Sequence, residues 1–277
     1  MENILLLTDF SESSINAMRY ALQLLKEDQC NFYVLHVQSS ASYTTDDLMT
    51  LGNSSIYDSI VKKSKNRLMK LVERLKDELG NKNFNYQIIV DFDALIDSVK
   101  QVIISKNIDL IVMGTNGVTG AKEVVFGSNT INVIRKVDCP TLAIPEAYGY
   151  KKPNDVLLPL DLQDSLRGSA FMKIIKFTTD YAKTLHILRI ISDSEGSVKQ
   201  KEDLENINIF LKETDHKYHK IQNVPMHYAV SCYSQTHNIN LITLLVQKES
   251  FFERFFTGST TTQISNKMEA PLLIIHY

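Results

Sequence analysis

The sequence predicts an α/β protein made of two doubly wound parallel-sheet domains in tandem, the second one reduced. Three observations predict it. Short apolar runs alternate with amphipathic helical segments, the pattern of strands covered by helices on both faces. The same series of runs occurs twice in the same order, which marks an internal duplication. The apolar run 108–113 opens into a glycine constellation: Gly114-Thr115-Asn116-Gly117, nine further residues, then Gly127-Ser128-Asn129.

A first strand over 3–8 leads to a helix from Ser13 to Lys26, with apolar Ile15, Met18, Leu22 and Leu25 and with Ser11 as N-cap. A strand follows at 32–37. The polar segment 39–55 then leads into a long helix over 58–79. Its residues Val61, Leu68, Leu71, Val72, Leu75 and Leu79 recur mostly at three- and four-residue spacing. A strand at 85–90 precedes a helix from Ala94 to Ser105, with Asp93 as its cap. Strand 108–113, the glycine loop, helix 128–136 and strand 141–145 complete the unit. Right-handed crossovers favour an open, doubly wound sheet. Ligands in such sheets sit beyond the strand C-termini, where strand order reverses. Asp9, Val37 and Gly114 all stand at predicted strand C-termini.

The second copy keeps this order. Residues 4–9 and 156–161 are both apolar runs that end in aspartate. Residues 32–37 match 185–190, 108–113 match 239–244, Gly127-Ser128-Asn129 matches Gly258-Ser259-Thr260, and 140–144 match 271–275. The domains are expected at 1–147 and 153–277, joined by the turn-rich stretch 148–153. In the second copy, the polar segment after the second strand shrinks to 192–198. Only 231–238 separate a strand at 225–230 from the next one. The third helix of that copy is therefore expected to be lost or reduced to a turn.

At 277 residues the chain suits two ordinary domains. A net charge of −2 argues against electrostatic capture of nucleic acid or of an anionic membrane. Cys30, Cys139 and Cys232 form no C-x-x-C pair, which fits a reducing compartment without a zinc site. The N-terminal stretch lacks the basic start of a signal peptide. No apolar run approaches the length of a membrane span. A cytoplasmic location is expected.

A glycine-rich loop that leaves a strand and ends at a helix N-terminus can hold phosphate through free N–H groups and the helix dipole. The spacing excludes both a Walker loop and a dinucleotide fingerprint. Ser128 is expected to cap the following helix, and Ser128 and Asn129 to bring donors to the phosphates. Gly114 and Gly117 would let the backbone come close to them. The plainer use of these glycines is as turn and cap residues. Asp9 either caps the first helix, worth about 1 kcal/mol, or accepts hydrogen bonds from a ribose or base. Lys122 reads as a solvated lysine rather than a phosphate contact.

His216 and His219 are three apart and could share a helix face, but the nearby lysines favour a solvated surface over a metal site. His36 reads as a satisfied residue inside a strand. The sequence holds no nucleophile elbow and no cysteine with a histidine partner fixed by motif. Asp46 and Asp47 lie in a polar loop, and no catalytic constellation emerges. In the second copy Leu245 and Lys248 replace Gly114 and Gly117, with bulky Phe251, Phe252, Phe255 and Phe256 behind them. That copy is not expected to bind nucleotide in the same way.

The pattern Met113-Gly114-x2-Gly117-x9-Gly127-Ser128, with Asp9 and Val37 after the first two strands and with the duplication itself, resembles the universal stress protein family over the whole chain. The resemblance implies an adenine-nucleotide-hydrolase-like fold. It implies ATP, alone or with Mg2+, over the first domain: base near Asp9 and Val37, phosphates on the loop of Met113, Gly114, Gly117, Gly127, Ser128 and Asn129. Asn129 stands where many members carry a small apolar residue. The resemblance also implies dimers formed through the last strand. In a tandem chain, strands 141–145 and 271–275 would pair within one molecule as a pseudo-dimer, with a homodimer as a further option. The expected role is a cytoplasmic stress-response protein that binds adenine nucleotide as a sensor or regulator. The alternatives are a nucleotide-independent scaffold or small-molecule binder, and a slow ATPase.

Overall fold

The computed structural model describes residues 2–38, 54–80, 83–115, 126–191, 196–246 and 270–277. The elements of the first half are β1 (Glu2–Leu7), α1 (Glu12–Leu24), β2 (Cys30–Val37), α2 (Ser54–Leu79), β3 (Phe84–Asp91), α3 (Leu95–Lys106), β4 (Leu110–Gly114), α4 (Ser128–Lys136) and β5 (Thr141–Ile144). The second half holds β6 (Asp155–Leu160), α5 (Gly168–Tyr181), β7 (Thr184–Ile191), α6 (Gly196–Phe210), β8 (Asp215–Gln222), α7 (Met226–Thr236), β9 (Leu241–Val246) and β10 (Leu272–His276).

The ten strands of the described residues join one sheet in the order β3-β2-β1-β4-β5-β10-β9-β6-β7-β8. The first half reads 3-2-1-4-5, and the second repeats that order from the opposite edge. Neighbours within each half are parallel. The seam between β5 and β10 is antiparallel, with Leu142 opposite Leu273 and Thr141 opposite Ile274. The pairing of 141–145 with 271–275 is thus made inside one chain.

The strands are apolar on both sides because helices cover both faces. Ile4, Leu6, Phe32 and Val34 pack under α1 and α2, and Leu158 and Leu160 continue the same cluster beneath α5. On the other face, Leu5, Leu7, Leu35 and Ile111 meet Val99 and Val102 of α3. Leu157, Leu188 and Ile242 meet Ala229 and Val230 of α7 together with Ile134 of α4.

Ser11 caps α1 as expected, its Oγ accepting from Ser14 N at 3.2 Å. Two expected caps differ. Ala94 holds the N-cap position of α3, one residue after Asp93, whose carboxylate accepts from Ala94 N at 2.8 Å. Gly127 holds the N-cap position of α4, so Ser128 is already the first helical residue and caps nothing.

The second half departs from expectation more strongly. Residues 225–230 do not form a strand: they open α7, and the third helix is kept. Asn223, with φ of +58°, turns the chain, and Pro225 stands at the N-cap of α7, where no N–H needs a helical acceptor. The strand is β8, Asp215–Gln222, which lies earlier in the chain and is largely polar. His216 and His219 therefore lie on a strand and on opposite faces of it, not on one helix face. The segments holding Asp46 and Asp47, Gly117, Gly120 and Lys122, and Lys248, Phe251, Phe252, Phe255, Phe256 and Gly258-Ser259-Thr260 lie outside the described residues.

Candidate functional site

β1 pairs in parallel with β2 on one side and β4 on the other. Strand order reverses between β1 and β4, and the connections leaving their C-terminal ends part to opposite sides, opening a crevice there. A cavity of about 590 Å³ lies at this point. Its floor is Leu7 and Thr8 of the β1 end, Leu35 and Val37 of β2, and Met113 and Gly114 of β4. The first turn of α1 closes one wall with Ser11, Ser13 and Ser14. The start of α4 brings Asn129 and Thr130. The β3–α3 connection, Phe92 to Leu95, forms the far rim.

The structure thus gathers five of the predicted residues: Asp9, Val37, Met113, Gly114 and Asn129. Gly127 and Ser128 stand at the entry to α4 and are not among the residues that line the cavity. Gly117 falls outside the described residues. Sequence reasoning missed the serines of α1, Thr130 and the β3–α3 connection. A signal for the last was present: the C-terminal end of the third strand obeys the same rule as those of the first two.

The loop from β1 to α1 is tightly fixed. Thr8 and Ser14 share a hydroxyl contact of 2.9 Å, and Phe10 N donates to Thr8 Oγ1 at 3.0 Å. Phe10 adopts φ of +66°, a region costly for a side chain of this size. Its ring lies 4.5 Å from the His36 ring and 4.0 Å from the Arg67 guanidinium carbon. His36 Nδ1 donates to Thr8 O at 2.9 Å, so His36 is satisfied as expected. Asp9 does not cap α1. Its Oδ1 accepts from Ser11 N at 2.9 Å and from Ser11 Oγ at 2.5 Å. Burial pushes the Asp9 carboxyl up, but hydrogen bonds led by those from Ser11, with smaller contributions from Ser14 and the Asp9 backbone, together hold the group below its usual range.

Gly114 has a packing reason to be glycine. A Cβ there would meet Ser13 Oγ at 2.5 Å and the Ser13 backbone at 2.6 Å. Its bareness lets α1 press against β4, and Ser13 Oγ then donates to Thr115 O. Thr130 Oγ1 donates to Gly114 O at 3.3 Å and ties α4 to the same point.

The N-terminal ends of α1, α3 and α4 all border the cavity, and neither α3 nor α4 has a side-chain cap bond on its first turn. Their dipoles favour a bound anion, while the carboxylates of Asp9 and Asp93 stand at the rim. Among the described residues, no group of three or more His, Cys, Asp or Glu could hold a metal ion.

The same end of the second half is built differently. Ile4 pairs with Phe32 and Leu110, as Val156 pairs with Leu185 and Leu241. Counting along these strands, Arg189 stands where His36 does, Leu245 where Gly114 does, and Asp161 where Asp9 does. Arg189 and Asp203 are fully buried and form a two-pronged pair of 2.6 and 2.7 Å. Arg189 also donates to Asp161 O and, at 3.2 Å, to Asp164 O. Tyr218 hydroxyl donates to Asp203 at 2.8 Å, and Tyr277 hydroxyl to Asp164 at 2.9 Å. Burial, with Asp161 nearby, pushes the Asp164 carboxyl up to about 6.

These features define a class: an open, doubly wound α/β protein with a ligand-sized cleft where its strand order reverses. The sequence profile of the universal stress protein family matches residues 1–145, and the chain belongs to the universal stress protein family. Universal stress protein MJ0531 of Methanocaldococcus jannaschii is 27% identical over 143 residues, 52% of this chain and 81% of that protein. Universal stress protein YxiE of Bacillus subtilis is 28% identical over 143 residues, 51% of this chain and 97% of that one. Both alignments span about half of this chain. The solved structure of a universal stress protein from Archaeoglobus fulgidus matches both halves, with a TM-score of 0.71 over 99% of this chain and 98% of its own, at 17% identity. It supports the architecture of the whole chain.

Proposed function

We propose that the chain is a cytoplasmic stress-response protein that binds ATP, or a related adenine nucleotide, in the cleft between β1 and β4 and acts as a sensor or regulator. The binding unit is residues 1–147, and residues 153–277 form a second unit that does not bind nucleotide in the same way. One observation carries the reading. A cleft of about 590 Å³ combines an apolar floor with helix N-termini that carry no side-chain cap, beside the glycine constellation. That volume lies in the range of small-ligand sites. The residues present fit the ligand: Val37 offers apolar surface to a base, Asp9 offers an acceptor to a ribose or base, and Asn129 with the first-turn N–H groups of α4, beside Met113 and Gly114, offers donors to phosphate. When bound with ATP, Mg2+ would supply counter-charge to the phosphates. Among the described residues, no helix is long and apolar enough to cross a membrane.

Titration calorimetry with ATP, with and without Mg2+, tests the reading. One site per chain is expected. An absence of heat at millimolar ATP, together with no nucleotide carried through purification, would overturn it.

A further inference from the structure

Asp9 and Ser11 line the cleft, whereas Phe10 between them does not. Phe10 has φ of +66°, and the other non-glycine residues with positive φ among the described residues are Asn107, Asn223 and Asn238. Asparagine visits this left-handed region readily, and a bulky aromatic does not. The strain belongs to the half with the open cleft. Leu162, which follows Asp161 as Phe10 follows Asp9, does not share it.

Strain of this kind persists only where the surroundings hold it. Two side chains hold the Phe10 ring. His36 of β2 lies 4.5 Å away, ring to ring, and Arg67 of α2 places its guanidinium carbon 4.0 Å from the ring centre. His36 is itself fixed to Thr8 O at 2.9 Å, and Phe10 N reaches back to Thr8 Oγ1 at 3.0 Å. Half-buried Phe10 also packs against the core of that face. Asp9 stands on one side of this residue, with its carboxylate bound to the N–H and hydroxyl of Ser11 on the other. The turn at Phe10 therefore sets how both are presented.

We infer that Phe10, gripped between His36 and Arg67, is a positioning residue: it holds the β1–α1 turn in the left-handed form that offers Asp9 and Ser11 to the bound nucleotide. The inference rests on the nucleotide reading above and adds which residues shape the Asp9 end of that site. The Phe10 ring does not line the cleft, so its effect on binding passes through the backbone, and this has a signature. Alanine removes the grip but keeps a Cβ at positive φ, and the turn relaxes. Glycine removes the grip and the steric penalty together, and the turn stays accessible. A residue needed only for its bulk gives glycine no advantage over alanine.

Calorimetric titration of ATP into the wild type and into F10A, F10G and R67M tests the inference, with the melting temperature of each ligand-free variant as a check on folding. Apparent affinity falls with the fraction of molecules that hold the competent turn. F10A should bind about tenfold more weakly than the wild type, and F10G only about threefold more weakly. R67M, which loses the cation over the ring, should bind about threefold more weakly. Wild-type affinity in F10A, or binding by F10G no tighter than by F10A, overturns the positioning role while leaving the nucleotide reading intact. A wild type that ignores ATP defeats both together. If F10A fails to fold, R67M decides: Arg67 is exposed on α2, and wild-type affinity in that variant overturns the grip.

Discussion

The two halves share one topology, yet their equivalent C-terminal ends are furnished with opposite chemistry. Where the first half has Gly114, the second has Leu245, 2% exposed in the core. Where the first has His36 beside an aromatic ring, the second has Arg189 locked to Asp203 with both side chains fully buried. In the first half, missing side-chain bulk lets a helix approach and leaves a cleft beside it. In the second, bulk and a satisfied charge network fill and fasten the corresponding framework. A repeated backbone fixes where a site can be, and a few side chains decide whether one is offered.

The largest effect expected from this contrast lies in the second half. Asp203→Ala strands the Arg189 guanidinium in the core and should cost ~3–5 kcal/mol, read by urea unfolding. Replacing both partners, as R189M/D203L, should recover most of that loss, because no uncompensated charge remains. A D203A protein as stable as the wild type would mean that the pair is not the fastening described.

Next comes Gly114→Ala, which moves the first half toward the second. The added methyl meets Ser13 backbone at 2.6 Å, and such overpacking costs ~1–3 kcal/mol. A weaker affinity for ATP should accompany the loss. Ser11→Ala removes the α1 cap and one of the donors to Asp9, and should cost about 1 kcal/mol, again by denaturant midpoint.

The smallest effect is a pH slope confined to the second half. Asp164 has a folded pKa raised to about 6, above the ordinary value of about 3.9. Between those values the folded state binds more protons than the unfolded one, so this group makes stability fall as pH rises through that window. Asp164→Asn should remove that component, seen by comparing urea midpoints of the two proteins from acid to neutral pH. An unchanged slope would assign the proton uptake elsewhere.

Much of this was legible in the chain because buried parallel strands are apolar on both faces and so stand out as continuous runs. β1, β4, β6 and β9 are of that kind. β8 is not. Among the described residues it is an edge strand, paired with β7 alone, and its polar Asp215–Gln222 sequence carries no apolar run. The nearby apolar residues of α7 mimicked the missing strand, and the turn at Asn223 and Pro225 was the signal that separates the two.

At the cleft, residues fixed by position along a strand, such as Asp9 and Val37, could be found from sequence. The reason for Gly114 could not, because it depends on Ser13 arriving from a distant helix. Phe92 was hidden for a similar cause: only the sheet order brings the end of β3 to the same cleft.

The antiparallel seam between β5 and β10 has a consequence for how the molecule responds to dilution. The connecting segment 145–154 is moored to the body: Asn16 Nδ2 donates to Pro145 O and Tyr148 O, and the Tyr20 ring sits 5.2 Å from that of Tyr150. Two separate subunits joined edge to edge would part as their concentration fell. Here a tether keeps each edge at a high effective concentration for the other, so the joint is indifferent to abundance. A cell holding a few copies and a cell holding thousands would contain the same joint, with one unlike half on each side of it.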